Sequence, residues 1–446
     1  MSAEQKIHAL LARWRISPDY ARRCLWTLGL LLALRLLAQI SVLEVDPGRM
    51  TRLLAENPWL GVIDLLAGGE TLTQFSIAAA GLLPHLLAAV AVRVLAWTIP
   101  SLRAAARGGE DQRERFARLE KLARVPLAVA MAWVLTRYLS RQTGLFPDGV
   151  RWFTAESFWP TAGVVALVTA GSLVTSWLTD LITQRGVADG GKVVLLCASG
   201  LALVDGAADL AFGASSPADR WLAFAAHAIV GAAVLGLALV LLRTERRIPI
   251  VLPRAPTAVA PRIYLPLRLV REATLPIAAA AGALLLARVA GQFLAWAFPG
   301  GWTAAENALA QLADPGRAPY WVALAALIGI GTLLINLSTI LQPFANSELG
   351  TAELLRRQGA FIQGIRPGAE TERFLLGTVL RLTAAGAVAL TVLGAGLPAL
   401  LRWWTGEDYT AAIVAVIVFV HATDDLRSHW FAYNQSVFYD GLLRRR

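Results

Sequence analysis

The chain has 446 residues, of which 56% are hydrophobic and only 16% are Asp, Glu, Lys or Arg. This composition excludes an ordinary soluble domain, in which about a quarter of the residues are charged. It is typical of a helical protein that crosses a membrane many times. The net charge of +10 is spread over several loops, which favours a role in setting membrane topology over a nucleic-acid-binding surface.

Ten segments are apolar and long enough to cross a bilayer, which needs about 20 residues per helix. Backbone N–H and C=O groups in lipid must pair within their own segment, so these segments are predicted to be helices. We therefore predict an all-α polytopic membrane protein with ten transmembrane helices in two halves of five. The predicted spans are residues 25–43, 75–99, 125–142, 160–179, 193–212, 221–242, 274–297, 320–342, 374–396 and 409–424.

The segments between the predicted spans divide into two groups by charge. Most of the 41 lysines and arginines lie in alternate segments. By the positive-inside rule these segments, and with them both termini, face the cytoplasm. The basic segments are residues 1–24, 100–124, 180–192, 243–272, 343–373 and the tail 425–446.

The chain is predicted to form one integral membrane domain, residues 1–446, with an N-terminal half at 25–212 and a C-terminal half at 221–424. Its longest non-membrane stretches hold about 30 residues, which is fewer than an independently folding domain usually needs. The loop 100–124 mixes basic and acidic residues and is predicted to be a solvated helical extension. The loop 243–272 is rich in proline and is predicted to be extended.

Glycines and prolines interrupt the apolar sequence between residues 68 and 100. Gly68 and Gly69 break a helix, Pro84 kinks one and Pro100 ends one. The pattern predicts a short outer helix, a break and then a full span. A single kinked helix with an amphipathic beginning is the alternative.

The most informative loop is Gly359-Ala-Phe-Ile-Gln-Gly-Ile-Arg-Pro-Gly368, between two predicted spans. Its glycines and proline are typical of a turn with a defined shape, and Arg366 is its charged residue. A protein that only crosses the bilayer needs no such tip, whereas one that contacts a cytosolic partner does. This segment resembles the fifth cytosolic loop of the SecY family, the channel subunits of protein translocases.

The resemblance continues in order along nearly the whole chain, and it implies the SecY-like arrangement of two five-helix halves. The run from Gly68 to Pro100 resembles the plug and second span of that family. The other matching segments are Leu173–Gly186 at the fourth span, Thr244–Pro249 at the fourth cytosolic loop, Leu265–Leu267 with Pro276 at the seventh span, and Arg381–Thr383 at the ninth.

The resemblance implies a pore that is closed by a plug and by a ring of apolar side chains. An apolar ring dewets and blocks ions, yet it can deform around a passing chain. The same residue types are also ordinary in lipid-facing or core positions. The matching ring positions are Leu82, Leu86, Leu195, Ala278 and Val414. The plug, near residues 60–73, and its hinge are represented by Leu60, Leu65, Gly68, Gly69 and Phe75.

Two more sites follow from the resemblance. A lateral gate would include Pro276 and Arg93, whose charge lies in an apolar run where it is expensive. Arg93 either biases opening of the gate or reaches the cytoplasmic headgroups. The cytosolic partner contacts would be Arg246, Arg247, Arg366, Pro367 and Gly368. Arginine suits such a contact because it pairs with carboxylates and phosphates; the alternative is that these arginines only fix topology.

By this resemblance we expect a protein-conducting channel in a bacterial inner membrane. It would move unfolded preproteins across the membrane and release apolar segments sideways into lipid. The implied partners are SecE-like and SecG-like small membrane subunits, the SecA motor, the ribosome and the preprotein. One alternative is a specialised SecY-like protein with few substrates, suggested by the shortened 243–272 loop, the unusual Arg93 and the divergent tail Asp424–Arg446. A separate departure is Arg271-Glu272, where the family carries neutral residues. A transporter of small solutes is a second alternative.

We predict no enzymatic activity and no cofactor. Gly186–Lys192 is close to a nucleotide-binding Walker A loop, but Val193 replaces the required Ser or Thr, and the segment joins two membrane helices. The five histidines have no metal-binding spacing. The sequence offers no nucleophile with a paired base, so an intramembrane enzyme is the weakest alternative.

Overall fold

The structure is a computed structural model that describes residues 18–43, 45–102, 110–142, 145–146, 158–212, 217–251, 263–297, 303–312, 314–345, 355, 359–406 and 408–443. It is mainly helical. The helices are α1 Pro18–Ala38, α2 Pro47–Glu56, α3 Pro58–Ala67, α4 Leu83–Thr98, α5 Glu110–Leu139, α6 Phe158–Arg185, α7 Gly190–Phe212, α8 Pro217–Arg243, α9 Thr274–Ala297, α10 Thr303–Leu312, α11 Ala318–Ala345, α12 Ala369–Thr391, α13 Leu397–Thr405 and α14 Thr410–Leu443.

Every predicted span contains one of these helices, so the predicted fold class is confirmed. Within the described part of the chain, six helices are long and apolar enough to cross a membrane by length and composition. The predicted ninth span is longer than expected, because α12 continues through a π-helical turn at Val392–Gly396 into α13. The predicted helical extension before the third span is also confirmed, since α5 begins at Glu110.

The second span differs from its predicted bounds, because its helix begins at Leu83 and not near residue 75. The preceding residues form turns, and Gly81 has φ +40°. A Cβ at Gly81 would lie 1.9 Å from the carbonyl oxygen of Ala67, so only glycine permits this close approach. Pro84 then occupies the first turn of α4, where its missing N–H costs nothing.

A small antiparallel sheet covers one end of the helical bundle. Strand β1 (Glu245–Val251) lies between β2 (Ile263–Arg268) and the short β3 (Phe361–Ile362). The predicted extended backbone of the 243–272 loop is confirmed for its described residues, but the sheet itself was not predicted. It ties this loop to the Gly359–Gly368 loop, because Ile250 and Val251 pair with β3.

Candidate functional site

The short helix α3 is buried among the membrane helices. It packs against α4, α7, α9 and α14, and eight of its ten residues are buried, including Leu60 and Leu65. Gly61 permits close approach of α14, since a Cβ there would lie 3.3 Å from the Cβ of Ala411. The structure therefore encloses the predicted plug residues between four helices.

The segment that follows α3 has the backbone conformation of a sharp hinge. Gly68 ends the helix with φ +132°, and Gly69 has φ +78°. Arg35 of α1 donates a hydrogen bond of 2.9 Å to the Gly69 carbonyl oxygen and lies 3.4 Å from the Glu70 carboxylate. Phe75 is fully buried and also has a positive φ, +42°. Arg35, a charge within an apolar run, thus finds its partners at the hinge.

A single carboxylate organises this hinge. Asp64 of α3 accepts hydrogen bonds through one oxygen from the Leu72 N–H, at 2.7 Å, and the Thr71 hydroxyl, at 3.1 Å. Its other oxygen accepts from the Glu70 N–H at 2.9 Å. Each of these partners would otherwise need water, so Asp64 fixes the loop against the end of α3.

The five predicted ring residues lie on the four helices that surround α3. Leu82 precedes α4 and Leu86 lies in it; Leu195 lies on α7, Ala278 on α9 and Val414 on α14. All five are buried and belong to the same apolar cluster as Leu60 and Leu65. The packing is consistent with a dry closure around α3.

The helices of the predicted lateral gate are in tight contact. Helix α4 packs against both α9 and α11. A Cβ at Gly282 of α9 would lie 2.9 Å from a methyl carbon of Leu87 on α4, and one at Gly331 of α11 would lie 3.6 Å from Pro276. Small residues therefore allow these helices to approach closely, and the seam between α4 and α9 is closed.

Arg93 lies on α4 and is half-buried. Its Nη1 is buried and has no hydrogen-bond partner among the described residues. Its charge adds to the larger effects of His421 and Lys192 that lower the pKa of Glu272, before α9. Arg93 thus acts electrostatically on a carboxylate that is distant in sequence, a surrounding that the sequence did not indicate.

The predicted cytosolic contacts lie together at the sheet end of the bundle. Arg246 and Arg247 are exposed on β1, and Arg366 is exposed in the loop after β3. Arg247 donates a hydrogen bond of 2.7 Å to Glu245 and lies 4.8 Å from the centre of the Tyr264 ring. Local contacts thus hold Arg247 in place on the sheet.

The loop that carries Arg366 depends on its glycines. Gly359, Gly364 and Gly368 have φ values of +67°, +81° and +107°, which other residues adopt only at a cost. The Arg366 carbonyl oxygen accepts a hydrogen bond of 2.8 Å from the Thr371 hydroxyl. Pro367 is exposed beside it. The predicted defined tip agrees with this geometry.

The sequence analysis missed a cluster of charges at the same end of the bundle. The Lys192 ammonium lies 3.0 Å from Asp425 and 3.6 Å from Glu272. The His421 ring nitrogen Nε2 lies 3.4 Å from Glu272, and His429 lies 3.4 Å from Asp425. The only signal in the sequence was the unusual Glu272, because these residues are far apart along the chain.

Glu272 is held in its charged form. Burial alone would raise the pKa of Glu272, but the nearby His421 imidazole and the Lys192 charge outweigh this effect, and its pKa falls to about 2. The Asn336 side chain fixes the adjacent backbone by accepting hydrogen bonds of 2.8 Å from the N–H groups of Arg271 and Glu272. Glu272 is therefore a rigidly placed anion.

A second ion-pair group connects this region to the sheet. Asp424 of α14 lies 2.8 Å from Arg268 of β2 and 3.7 Å from Arg243 at the end of α8. Because Asp424 is adjacent to Asp425, the two groups share one turn of α14.

Gly186–Lys192, the segment close to a Walker A loop, covers the turn between α6 and α7 and the first three residues of α7. Its Lys192 is occupied by the ion pairs to Asp425 and Glu272. Val193 is buried, so no hydroxyl is available at that position. Among the residues that the structure describes, there is no group of three or more His, Cys, Asp or Glu side chains that could hold a metal ion.

Comparison with known proteins agrees with this architecture. The SecY family model matches residues 76–423. A protein translocase subunit SecY from Thermus thermophilus is 30% identical over 426 residues, which are 92% of each chain. The SecY subunit from Synechocystis is 26% identical over 435 residues, 95% of this chain and 94% of the relative.

Solved structures share the fold. A protein-conducting channel superposes with a TM-score of 0.62 at 14% identity and covers 92% of each chain. Sec61 in a canine ribosome–channel complex superposes with a TM-score of 0.60, also at 14% identity and 92% coverage. The match to the family model covers most of the chain, and the Thermus subunit is related over nearly its whole length. The chain therefore belongs to the SecY family and is a protein-translocation channel.

Proposed function

We propose that the polypeptide path of this channel runs along the position of α3. In the closed state α3 acts as the plug, and Leu82, Leu86, Leu195, Ala278 and Val414 form the ring. The observation that carries this proposal is that α3 packs against each of the four helices that supply ring residues. An unfolded preprotein would push α3 aside at the hinge of Gly68 and Gly69.

Apolar segments of the substrate would leave sideways between α4 and α5 on one side and α9 and α11 on the other. The closely packed contact between Gly282 and Leu87 marks the seam that must separate. A segment leaves because lipid solvates it better than a watery pore does, by about 25 cal/mol per Å² of apolar surface. Arg93 and Pro276 lie on the helices of this seam, where they would affect its opening.

The sheet and the Arg366 loop would form the surface that receives the driving partner. Arg246, Arg247 and Arg366 are exposed on two loops that β1 and β3 join, with Pro367 and Gly368 shaping the tip. Their guanidinium groups suit either the phosphates of a ribosome or the carboxylates of a SecA motor. The canine relative was solved in a ribosome–channel complex, which supports a ribosome as one partner.

The remaining expectations follow from the family. SecE-like and SecG-like subunits would complete the complex in a bacterial inner membrane, with both termini in the cytoplasm. A specialised channel with a restricted set of substrates remains the second candidate, favoured by the Lys192, Glu272 and Asp425 cluster. A small-solute transporter would need polar groups at its constriction, whereas the five ring residues are apolar.

The test is transport of a signal-bearing preprotein into proteoliposomes that contain this chain, a SecE-like subunit, SecA and ATP. We expect the wild type to give protease-protected preprotein and Arg366→Glu to give little. Arg373→Glu is the matched control, because Arg373 is also exposed at this end but lies on α12 outside the loop.

Equal loss in both variants would contradict a specific contact at the loop. Lack of protection in the wild type, with the complex confirmed as folded, would favour the specialised channel.

A further inference from the structure

We propose that Lys192, Glu272 and Asp425 form an ionic closure of the channel at its sheet end, in addition to the apolar ring. The inference rests on the proposed position of the pore along α3. It assigns these three residues a gating role in translocation. His421 and Asp424 would support them.

The closure joins the two halves of the molecule. Lys192 lies on α7 in the first half, whereas Glu272 lies before α9 in the second half and Asp425 lies on α14, the last helix of that half. Both ion pairs of Lys192 therefore link the first half of the molecule to the second. Opening a path between α7 and the pair α9 and α14 would separate this lysine from its carboxylates.

Lys192 and Asp425 lie beyond the ring on two of the helices that carry it, and Glu272 lies just before a third, α9. Lys192 precedes Leu195 by three residues, and Asp425 follows Val414 by eleven, which is about three helical turns. Both spacings bring the two side chains to the same face of their helix. Both residues lie toward the sheet end, because Lys192 is in the first turn of α7 and Asp424, next to Asp425, pairs with Arg268 of β2. The ionic cluster therefore stands between the sheet end and the ring.

Burial makes this cluster a barrier rather than a surface contact. The side chains of Lys192, Glu272 and Asp425 are only 21%, 17% and 21% exposed. Exposed ion pairs contribute little to stability. Separating a partly buried pair leaves uncompensated charges and is costly. The cluster should therefore favour the closed arrangement until a substrate or partner provides other contacts.

The neighbouring ion pairs give a partner a way to act on this closure. Asp424 binds Arg268 of β2 and is adjacent to Asp425. The sheet therefore connects to the turn of α14 that holds Lys192. A partner that displaces the sheet would move Asp424, and with it Asp425, away from the lysine.

The experiment measures the ion conductance of the full chain in planar lipid bilayers, without preprotein or motor. Lys192→Gln should raise the leak at least about tenfold over wild type, equivalent to about 1.4 kcal/mol. The matched control is Lys121→Gln, which also removes a paired lysine, 3.7 Å from Asp180, but within the first half. It should leave the leak unchanged.

A charge exchange separates gating from simple loss of structure. The double variant Lys192→Asp with Asp425→Lys again places one lysine beside two carboxylates and should restore the wild-type conductance. Asp425→Asn provides a second variant if Lys192→Gln fails to fold, as judged by thermal unfolding. Wild-type conductance in folded Lys192→Gln or Asp425→Asn, or no rescue by the exchange, would overturn the proposal.

A variant of α3 distinguishes failure of the ionic-closure proposal from failure of the proposed pore path. Asp64→Ala removes the hydrogen bonds that hold the hinge and should raise the leak by itself. If it leaks and the Lys192 and Asp425 variants do not, only the ionic closure is wrong. If none of them leaks, the path along α3 is wrong, and the ionic closure is rejected with it.

Discussion

Replacing Asp64 tests how firmly the hinge holds α3 in place. Asp64→Asn retains the oxygen that accepts from Leu72 and Thr71 but loses the acceptor for the Glu70 N–H. Losing one such hydrogen bond costs about 1 kcal/mol. Asp64→Ala loses all three bonds, including one to a partly buried N–H, which costs about 3 kcal/mol or more.

These costs predict a graded leak of ions. If the lost hydrogen bonds destabilise the closed position of α3 by these free energies, Asp64→Asn raises the population with α3 displaced about fivefold. Asp64→Ala raises it more than about a hundredfold. The assay is conductance of the reconstituted channel without partners, together with thermal unfolding to show that each variant is folded.

The matched control is Asp205→Asn. Asp205 lines the same cavity as Asp64 but is exposed, so its replacement removes a similar charge and leaves the hinge bonds intact. It should conduct like the wild type. Equal conductance in wild type, Asp64→Asn and Asp64→Ala would refute the role of Asp64, and so would a leak in Asp205→Asn as large as that in Asp64→Ala.

Three other predictions concern the seam, the ionic cluster and the loop tip. Gly282→Leu should force α9 away from Leu87 and increase membrane insertion of weakly apolar segments, measured in proteoliposomes. The control Gly231→Leu, at a glycine with open space around it, should leave insertion unchanged. Equal insertion in both variants would contradict a lateral exit between α4 and α9. The pKa of Glu272 is lowered from 4.5 to about 2, so its charge stabilises the fold by about 3 kcal/mol above pH 4.5, and this contribution is lost as the pH falls toward 2. The stability gap between wild type and Glu272→Gln should therefore narrow by more than half from pH 6 to pH 3 in thermal unfolding, and a constant gap would argue against the ion pairs. Gly368→Val, at φ +107°, should distort the tip and reduce SecA-dependent transport severalfold without changing the leak, whereas normal transport would show that the tip tolerates another conformation.

The ion pair between Lys192 and Asp425 shows which contacts cannot be predicted from local sequence patterns. Lys192 and Asp425 are separated by 233 positions, and no local pattern joins them. Their meeting depends on the packing of α7 against α14. The partners of Arg35, Gly69 and Glu70, also lie on a different segment. The sequence therefore showed a charge within an apolar run but not the contacts that stabilise it.

Apolar length in the sequence was enough to predict the spans, because lipid forces backbone groups to pair within each apolar segment. The start of the second helix, at Leu83, was the exception. The sequence also determined the hinge at Gly68 and Gly69 and the shaped tip around Arg366, because glycine and proline restrict the backbone locally. The folded structure was needed to show that α3 packs against α4, α7, α9 and α14, that two loops share one sheet, and that Lys192 pairs with carboxylates of the other half. Those features depend on contacts between distant segments, which side-chain volume and charge select only when the whole bundle has packed.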